Sequence, residues 1–225
     1  HAPGKITGID FFIPHPEEST AYTYFTLKRV LEIASILGKP ETPQLARIRE
    51  YSEGAKCAYQ ELVTKDGYSL DTDRQARLVR PLALHLLDEA QTAYAKKRLL
   101  QALKNYGWRL GTGFLSTPLI LDVLAETDLE AAYRLLENEQ MPGWLFMPKS
   151  GATTIWESWE GDRAAGSGVA SLDHYSKGAV CEWLMNTMCG IRITRKRAAI
   201  PGCGSSRRSA NCERARPLSH RVKRF

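Results

Sequence analysis

Apolar residues recur every three or four positions over most of this chain, which is the spacing of a helix that buries one face. The first stripe consists of Tyr24, Leu27, Leu31 and Ala34, and Gly38 with Pro40 indicates where its helix ends. The sequence shows no convincing alternation of apolar and polar residues, the pattern of a half-buried strand. It therefore predicts an all-α protein.

Caps and further stripes mark the other helices. Thr42 before Pro43 is a typical helix start, and this second helix continues to Asp66-Gly67. A third helix, capped by Asp71 and Asp73, is expected to carry Pro81 near its start or at a kink and to extend to Leu86. Four more are predicted at residues 92–106, Leu119–Ala125, Leu129–Leu136 with Asp128 as its cap, and His174–Met188.

Seven helices joined mostly by short connections are typical of antiparallel helix hairpins. The sequence has no fixed period, so a solenoid of similar repeats is not expected. Helix hairpins closed in a ring, an (α/α) barrel, fit better. In that architecture long loops at one end converge on a concave site, and the loops at residues 107–116 and 140–172 are the two that suit this role.

The second of these loops contains the heptad Thr153–Trp159, which sets Glu157 between Trp156 and Trp159. Loops this long inside a domain are usually functional. Aromatic faces stack on the apolar faces of a pyranose ring, while a carboxylate beside them binds hydroxyls or moves a proton. The heptad therefore predicts a sugar site.

Glu157 is the carboxylate that we expect to act in catalysis, because two flanking indoles would partly desolvate it. The plain alternative is a solvated loop glutamate. Glu160 competes with it, but we expect Glu160 on the solvated side of the turn before Gly161. Of Trp156 and Trp159, one is expected to anchor the core and the other to form a sugar platform, and the sequence leaves open which does which.

Three further residues have a functional and a structural interpretation. His174 begins a helix directly after the loop, so it either faces the same cavity or caps the helix. Trp144 and Phe114 either line a pocket or pack beneath the loop. The sequence shows no glycine-rich phosphate loop, nucleophile elbow or Cys/His dyad.

The net charge of +6 belongs to the end of the chain. Residues from Arg195 onward hold 10 of the 31 Lys and Arg residues and 1 of the 25 acidic residues, so the part before them is slightly acidic. Low hydrophobicity with high charge predicts a disordered tail. A nucleic-acid-binding arm is the alternative, which we do not favour because no aromatic residues alternate with the arginines.

Other classes of protein are not indicated. The five cysteines form no metal-ligand spacing with one another or with histidine, so we expect buried or incidental thiols and neither a metal nor a cofactor. No apolar run reaches the roughly 20 residues of a membrane span, and the N-terminal residues lack the pattern of a signal peptide. The sequence indicates a soluble protein whose compartment is undetermined.

Several motifs, taken together and in order, resemble bacterial α-L-rhamnosidases of glycoside hydrolase family 78. The resemblance covers residues 20–193, and its motifs are Asp71–Gln75, Leu78–Leu84, Gly111–Pro118, Gly151–Trp159 and Asp173–Val180. It implies that helix hairpins form part of an (α/α)6 barrel and that the enzyme hydrolyses terminal α-L-rhamnosides with inversion. It also implies that Glu157 is the general base and that His174 binds the sugar, with Trp156 and Trp159 beside it.

The chain departs from the family pattern at Asp173, where asparagine is usual, and at Lys177, where a small residue or proline is usual. The family's general acid lies in an acidic upstream motif that residues 1–20 do not contain. We therefore interpret residues 1–194 as the C-terminal portion of a catalytic barrel and residues 195–225 as a basic tail.

Two expectations for the isolated chain follow from this interpretation. It should be inactive towards rhamnosides or rhamnose-containing glycans, and it should self-associate through an exposed stripe at Tyr24, Leu27, Leu31 and Ala34. Activity would instead mean that Asp71, Asp73 or Glu160 is the acid. The alternative function is that of a non-catalytic helical remnant, or a sugar-binding fragment, with a basic interaction tail.

Overall fold

The computed structural model describes residues 15–65, 68–161 and 171–191. The predicted basic tail and the first 14 residues lie outside this part of the chain. The secondary structure of the described residues is helical, without a β-strand among them. The helices are α1 (Pro16–Ile36), α2 (Pro43–Leu62), α3 (Gln75–Ala83), α4 (Glu89–Asn105), α5 (Ile120–Thr127), α6 (Leu129–Leu136), α7 (Phe146–Lys149), α8 (Tyr175–Gly178) and α9 (Val180–Trp183).

Helices adjacent in sequence pack as hairpins, namely α1 with α2, α3 with α4 and α5 with α6. Local caps fix where several of them begin. The Thr42 hydroxyl accepts a hydrogen bond from the Leu45 amide, and the Asp128 carboxylate accepts from two amides of α6, as the sequence predicts. Asp88 and Gln91 form a capping box, so α4 begins at Glu89, three residues before its predicted start.

A buried charged cluster joins the first three helices. The Arg80 guanidinium of α3 donates to the Glu17 carboxylate of α1, and the Tyr59 hydroxyl of α2 donates to the same carboxylate at 2.5 Å. Both members of the ion pair are 7% exposed at their side chains. Burial raises the pKa of Tyr59. Because a buried charge without its partner is strongly destabilising, this cluster fixes how the three helices pack.

The predicted third helix differs from the observed one. It ends at Ala83, and His85 adopts a positive φ of 54° that leaves Leu86 beyond the helix although fully buried. Pro81 lies inside α3 near its end, so the placement near its start is wrong. Asp71 and Asp73 do not cap α3, because both carboxylates bind the Arg98 guanidinium of α4, at 3.0 and 2.8 Å.

The predicted seventh helix is not continuous. Residues after His174 form the short helix α8, then α9, and then a π-helical turn at Leu184–Met188. Gly178 ends α8, since glycine is a poor helix former. Residues 178–191 belong to a second compact unit, in which the Cys189 amide donates to the Leu184 carbonyl at 2.8 Å and closes the π-helical turn.

The exposed apolar stripe of α1 is not the predicted one. Tyr24 is only 6% exposed, and Leu27, Leu31 and Ala34 are half-buried, because α1 packs against α2. The exposed apolar residues of this region are Val30, Ile33, Ile36 and Leu37. The cysteines of the described part, Cys57, Cys181 and Cys189, are exposed, so of the two expectations, buried or incidental thiols, burial does not hold for them. The helices described here are all too short or too polar to cross a membrane.

Candidate active site

Glu157 is held at three of its polar groups. Its backbone amide donates to the Ser171 carbonyl at 2.8 Å, and its side-chain Oε2 accepts from the Ser171 amide at 2.8 Å. Its own carbonyl accepts a hydrogen bond from Lys177 Nζ. The half-buried carboxylate therefore has a defined position although it lies in a loop.

A short ladder of hydrogen bonds supports this position. The His174 amide donates to the Ile155 carbonyl at 2.8 Å, and the Thr154 hydroxyl donates to the Leu172 carbonyl. Together with the Glu157–Ser171 pair, these bonds clamp residues 154–157 against residues 171–174. The two segments that flank residues 158–170 are thus joined beside the Glu157 carboxylate.

The two tryptophans of the motif have different environments. Trp156 is 8% exposed, and its indole lies against the backbone of Gly161, where a Cβ would come within 2.5 Å of ring carbon Cε3. Trp159 is half-buried, with the Lys177 ammonium 4.0 Å from its ring centroid. Of the two tryptophans, Trp156 is therefore the one that packs as an anchor, and Trp159 is the more accessible.

Lys177 is buried between motif residues and is only 4% exposed. Burial lowers the pKa of Lys177 to about 8, against the opposing effect of the Glu160 and Glu157 charges. Its carbonyl accepts a hydrogen bond from Trp144 Nε1 at 3.0 Å. Trp144 itself is buried beneath the loop, which favours packing over a place in the pocket wall.

His174 belongs to a stack of three aromatic rings. Its imidazole lies 4.8 Å from the Phe114 ring and 5.0 Å from the Tyr175 ring, with interplanar angles of 24° and 21°. Phe114 is 46% exposed and Tyr175 is 83% exposed, so the stack meets solvent. His174 Nδ1 accepts from the Ser176 amide at 3.3 Å, which assigns the proton of a neutral imidazole to Nε2.

The loop at residues 107–116 meets the second loop at this stack, as the sequence predicts. The Ser176 hydroxyl donates to the Phe114 carbonyl at 2.7 Å. The fully buried side chain of Gln75 in α3 donates to the Arg109 carbonyl at 2.9 Å and accepts from the Gly111 amide at 2.8 Å. One buried amide side chain therefore fixes the backbone that leads to Phe114.

The competing carboxylate Glu160 is exposed, as predicted. A hydrogen bond from the Ser158 hydroxyl lowers the pKa of Glu160, so it remains ionised under conditions in which an ordinary glutamate would begin to take up a proton. An ionised, solvated carboxylate is poorly suited to donate a proton. Glu160 is therefore a poor candidate for the general acid.

Residues 13–188 match the bacterial α-L-rhamnosidase 6 hairpin glycosidase domain. The chain belongs to this family. The α-L-rhamnosidase of Formosa agariphila is 35% identical over 200 residues, which are 81% of this chain and 21% of that protein. The α-L-rhamnosidase of Streptomyces avermitilis is 32% identical over 178 residues, or 77% of this chain and 17% of that protein.

Solved structures of the rhamnosidase family agree. The crystal structure of the Streptomyces avermitilis α-L-rhamnosidase complexed with L-rhamnose has a TM-score of 0.67 and 30% identity, covering 76% of this chain and 17% of that one. The crystal structure of native α-L-rhamnosidase from Aspergillus terreus has a TM-score of 0.68 and 26% identity, covering 76% of this chain and 20% of that one. The prediction of an all-α chain with helix hairpins of an (α/α)6 barrel is confirmed.

This rhamnosidase-family chain spans about a fifth of the length of the curated relatives that it matches. Sequence reasoning missed two of its site residues. Ser171 stands at the end of a glycine- and alanine-rich run, and nothing in the sequence indicated that its backbone would bind Glu157. The sequence marks Lys177 only as a departure from the family pattern, and its contacts with Glu157 and Trp159 depend on how the loop folds.

Proposed function

We propose that this chain supplies the general base and part of the rhamnose-binding surface of an inverting α-L-rhamnosidase. The observation that carries the proposal is the Glu157 carboxylate. It is fixed through Oε2 by the Ser171 amide, in the same loop as an indole platform, and the backbone of that loop is paired with His174. Oε1 of this carboxylate is then the atom that accepts a proton from water.

Inversion proceeds in one displacement. Glu157 takes a proton from a water molecule as its oxygen attacks the anomeric carbon, and the bond from that carbon to the glycosidic oxygen breaks on the opposite face. A carboxylic acid about 6.5 to 9.5 Å from the base protonates the leaving oxygen. We propose that this acid lies outside the described residues and that the 225-residue chain alone does not turn over rhamnosides.

The sugar is proposed to bind between Trp159 and the aromatic stack. Lys177 covers one face of the Trp159 indole, so the opposite face is the one proposed to stack on the apolar face of rhamnose. The Phe114 and Tyr175 rings stack on the His174 imidazole, so the edge of the imidazole is the part proposed to bind the sugar. The Nε2 proton would donate to a sugar hydroxyl.

The test compares two glutamates of the same loop in the complete gene product. Glu157→Gln should lower kcat on an aryl α-L-rhamnoside by a factor of about 100 or more, which is the low end for general base catalysis. Glu160→Gln is the matched control and, at pH 6, well below the pKa of Lys177, should stay near the wild-type rate because Glu160 is exposed. A Glu157→Gln enzyme with a near-normal kcat would remove this residue from the mechanism.

The stereochemistry provides a second readout. Proton NMR in the first minutes of hydrolysis should show β-L-rhamnose before mutarotation equilibrates the anomers. Initial α-L-rhamnose would contradict inversion and would make Glu157 a candidate nucleophile instead. Rhamnose binding by the isolated chain, without turnover by the complete gene product, would support the sugar-binding alternative.

A further inference from the structure

Lys177 carries a positive charge in a nearly dry environment. Its side chain is 4% exposed, and a buried ammonium group is unfavourable unless it finds polar or charged partners. Apart from burial, the interactions that determine its charge state are those with the carboxylates of Glu160 and Glu157. A lysine kept in such a place has a specific set of contacts to satisfy.

Those contacts all involve the motif that holds the base. Lys177 Nζ donates to the Glu157 carbonyl and lies 4.0 Å from the centroid of the Trp159 indole, a distance at which a cation is attracted to an aromatic face. The backbone of Lys177 is itself fixed, because its carbonyl accepts from the buried indole of Trp144. The Lys177 side chain therefore connects a fixed backbone to Glu157 and Trp159, the two motif residues on either side of Ser158.

We propose that Lys177 is a positioning residue for Glu157. The Lys177 ammonium group holds the Glu157 base and the Trp159 platform in one fixed arrangement. The proposal rests on the proposed function of Glu157. Lys177 need not touch substrate, since it acts on the carbonyl of Glu157 and on one face of Trp159. Loss of either contact is expected to free residues 157–159, which carry both the Glu157 carboxylate and the Trp159 indole.

The charge of Lys177 makes this arrangement dependent on pH. Burial lowers the pKa of Lys177 to about 8, so the ammonium is present below that pH and becomes a neutral amine above it. A neutral amine retains a weak hydrogen bond to the Glu157 carbonyl but loses its attraction to the indole face. The rate should therefore fall as the pH rises through about 8.

The test uses three lysine variants of the complete gene product, with kcat and KM measured from pH 5 to 10. Lys177→Met keeps an unbranched side chain but removes the charge, and Lys177→Arg keeps a charge that does not titrate in proteins. Lys149→Met is the matched control, because Lys149 lies on α7 in an exposed ion pair with Glu139. We expect Lys149→Met to leave kcat and the pH profile unchanged.

For Lys177→Met we expect kcat about 10-fold lower or more at pH 7, since misplacement of a catalytic group by about 1 Å costs about 100-fold. KM should change less than kcat, and the component of the alkaline fall near pH 8 should be absent, which leaves only the fall caused by deprotonation of the general acid. Lys177→Arg should retain more activity than Lys177→Met and should also lack that component. A purely structural lysine would not give this pattern of pH profiles.

Two results would overturn the proposal. One is a Lys177→Met enzyme with kcat within twofold of wild type and an unchanged alkaline limb. The other, which needs no variant to fold, is a wild-type kcat that stays constant from pH 7 to 10. Glu157→Gln measured alongside separates the two hypotheses. If it is inactive while Lys177→Met behaves as wild type, only the role of Lys177 is refuted, whereas an active Glu157→Gln refutes the base itself.

Discussion

Gly161 is the position where a single methyl group should disturb the site most directly. Its backbone adopts a φ of +61°, and its Cα faces the Trp156 indole so closely that a Cβ would lie 2.5 to 2.7 Å from three ring carbons. Carbon atoms in good van der Waals contact are about 3.5 to 4.0 Å apart. Gly161→Ala therefore requires the indole or the turn to move by about 1 Å.

Two effects add in this variant. A left-handed conformation costs a residue with a Cβ roughly 1 to 2 kcal/mol, and forcing an extra methyl group into a packed site costs about 1 to 3 kcal/mol more. Gly38→Ala isolates the first effect, because Gly38 has a φ of +60° with nothing within 4 Å of its Cβ position. The difference between the two variants in the free energy of unfolding is expected to be about 1 to 3 kcal/mol.

The assay is urea unfolding of the 225-residue chain, followed by far-UV circular dichroism, with near-UV spectra recorded in buffer. Gly161→Ala should change the near-UV signal of the indoles and should lose more stability than Gly38→Ala. If the two variants unfold at the same urea concentration and their near-UV spectra match the wild type, Trp156 does not pack on Gly161 and the anchor role is wrong.

Three further predictions test other parts of the chain. His174→Ala in the complete gene product should weaken rhamnose binding by about 1 to 3 kcal/mol, the cost of an unpaired polar group, and unchanged calorimetry would leave the histidine as a helix cap. The double substitution Ile33→Lys and Ile36→Lys should reduce self-association of the isolated chain, because these side chains are 56% and 78% exposed. Sedimentation that shows the unsubstituted chain to be a monomer would contradict this prediction. Deletion from Arg195 onward should leave the melting temperature nearly unchanged, whereas a fall of many degrees would mean that the tail packs on the helices.

Local signals predicted the parts of the fold that are determined locally. Thr42 and Asp128 bind amides within three residues of themselves, so their identity and position sufficed to place two helix starts. Asp71 and Asp73 looked like caps for the same reason, but their partner is Arg98, at least 25 residues away. A pairing between two helices cannot be predicted from the spacing of residues along one of them.

The same limit applies to the site. The motif around Glu157 was recognisable from the sequence, yet Trp156 and Trp159 were equivalent there as potential platforms. Their difference arises from the approach of Gly161 to one ring and of Lys177 to the other, both of which depend on how the loop folds back. The convergence of the two loops was predicted from architecture, whereas the stacking of Phe114 on His174 became visible only in the structure.

Because two hydrogen bonds join Glu157 to Ser171, the position of the proposed base does not depend on the length of the loop between these two residues. Since residues 154–157 and 171–174 are hydrogen-bonded directly to each other, a change in the number of residues between Gly161 and Ser171 need not displace Glu157. We therefore expect relatives of this chain to tolerate insertions and deletions there without moving the proposed base.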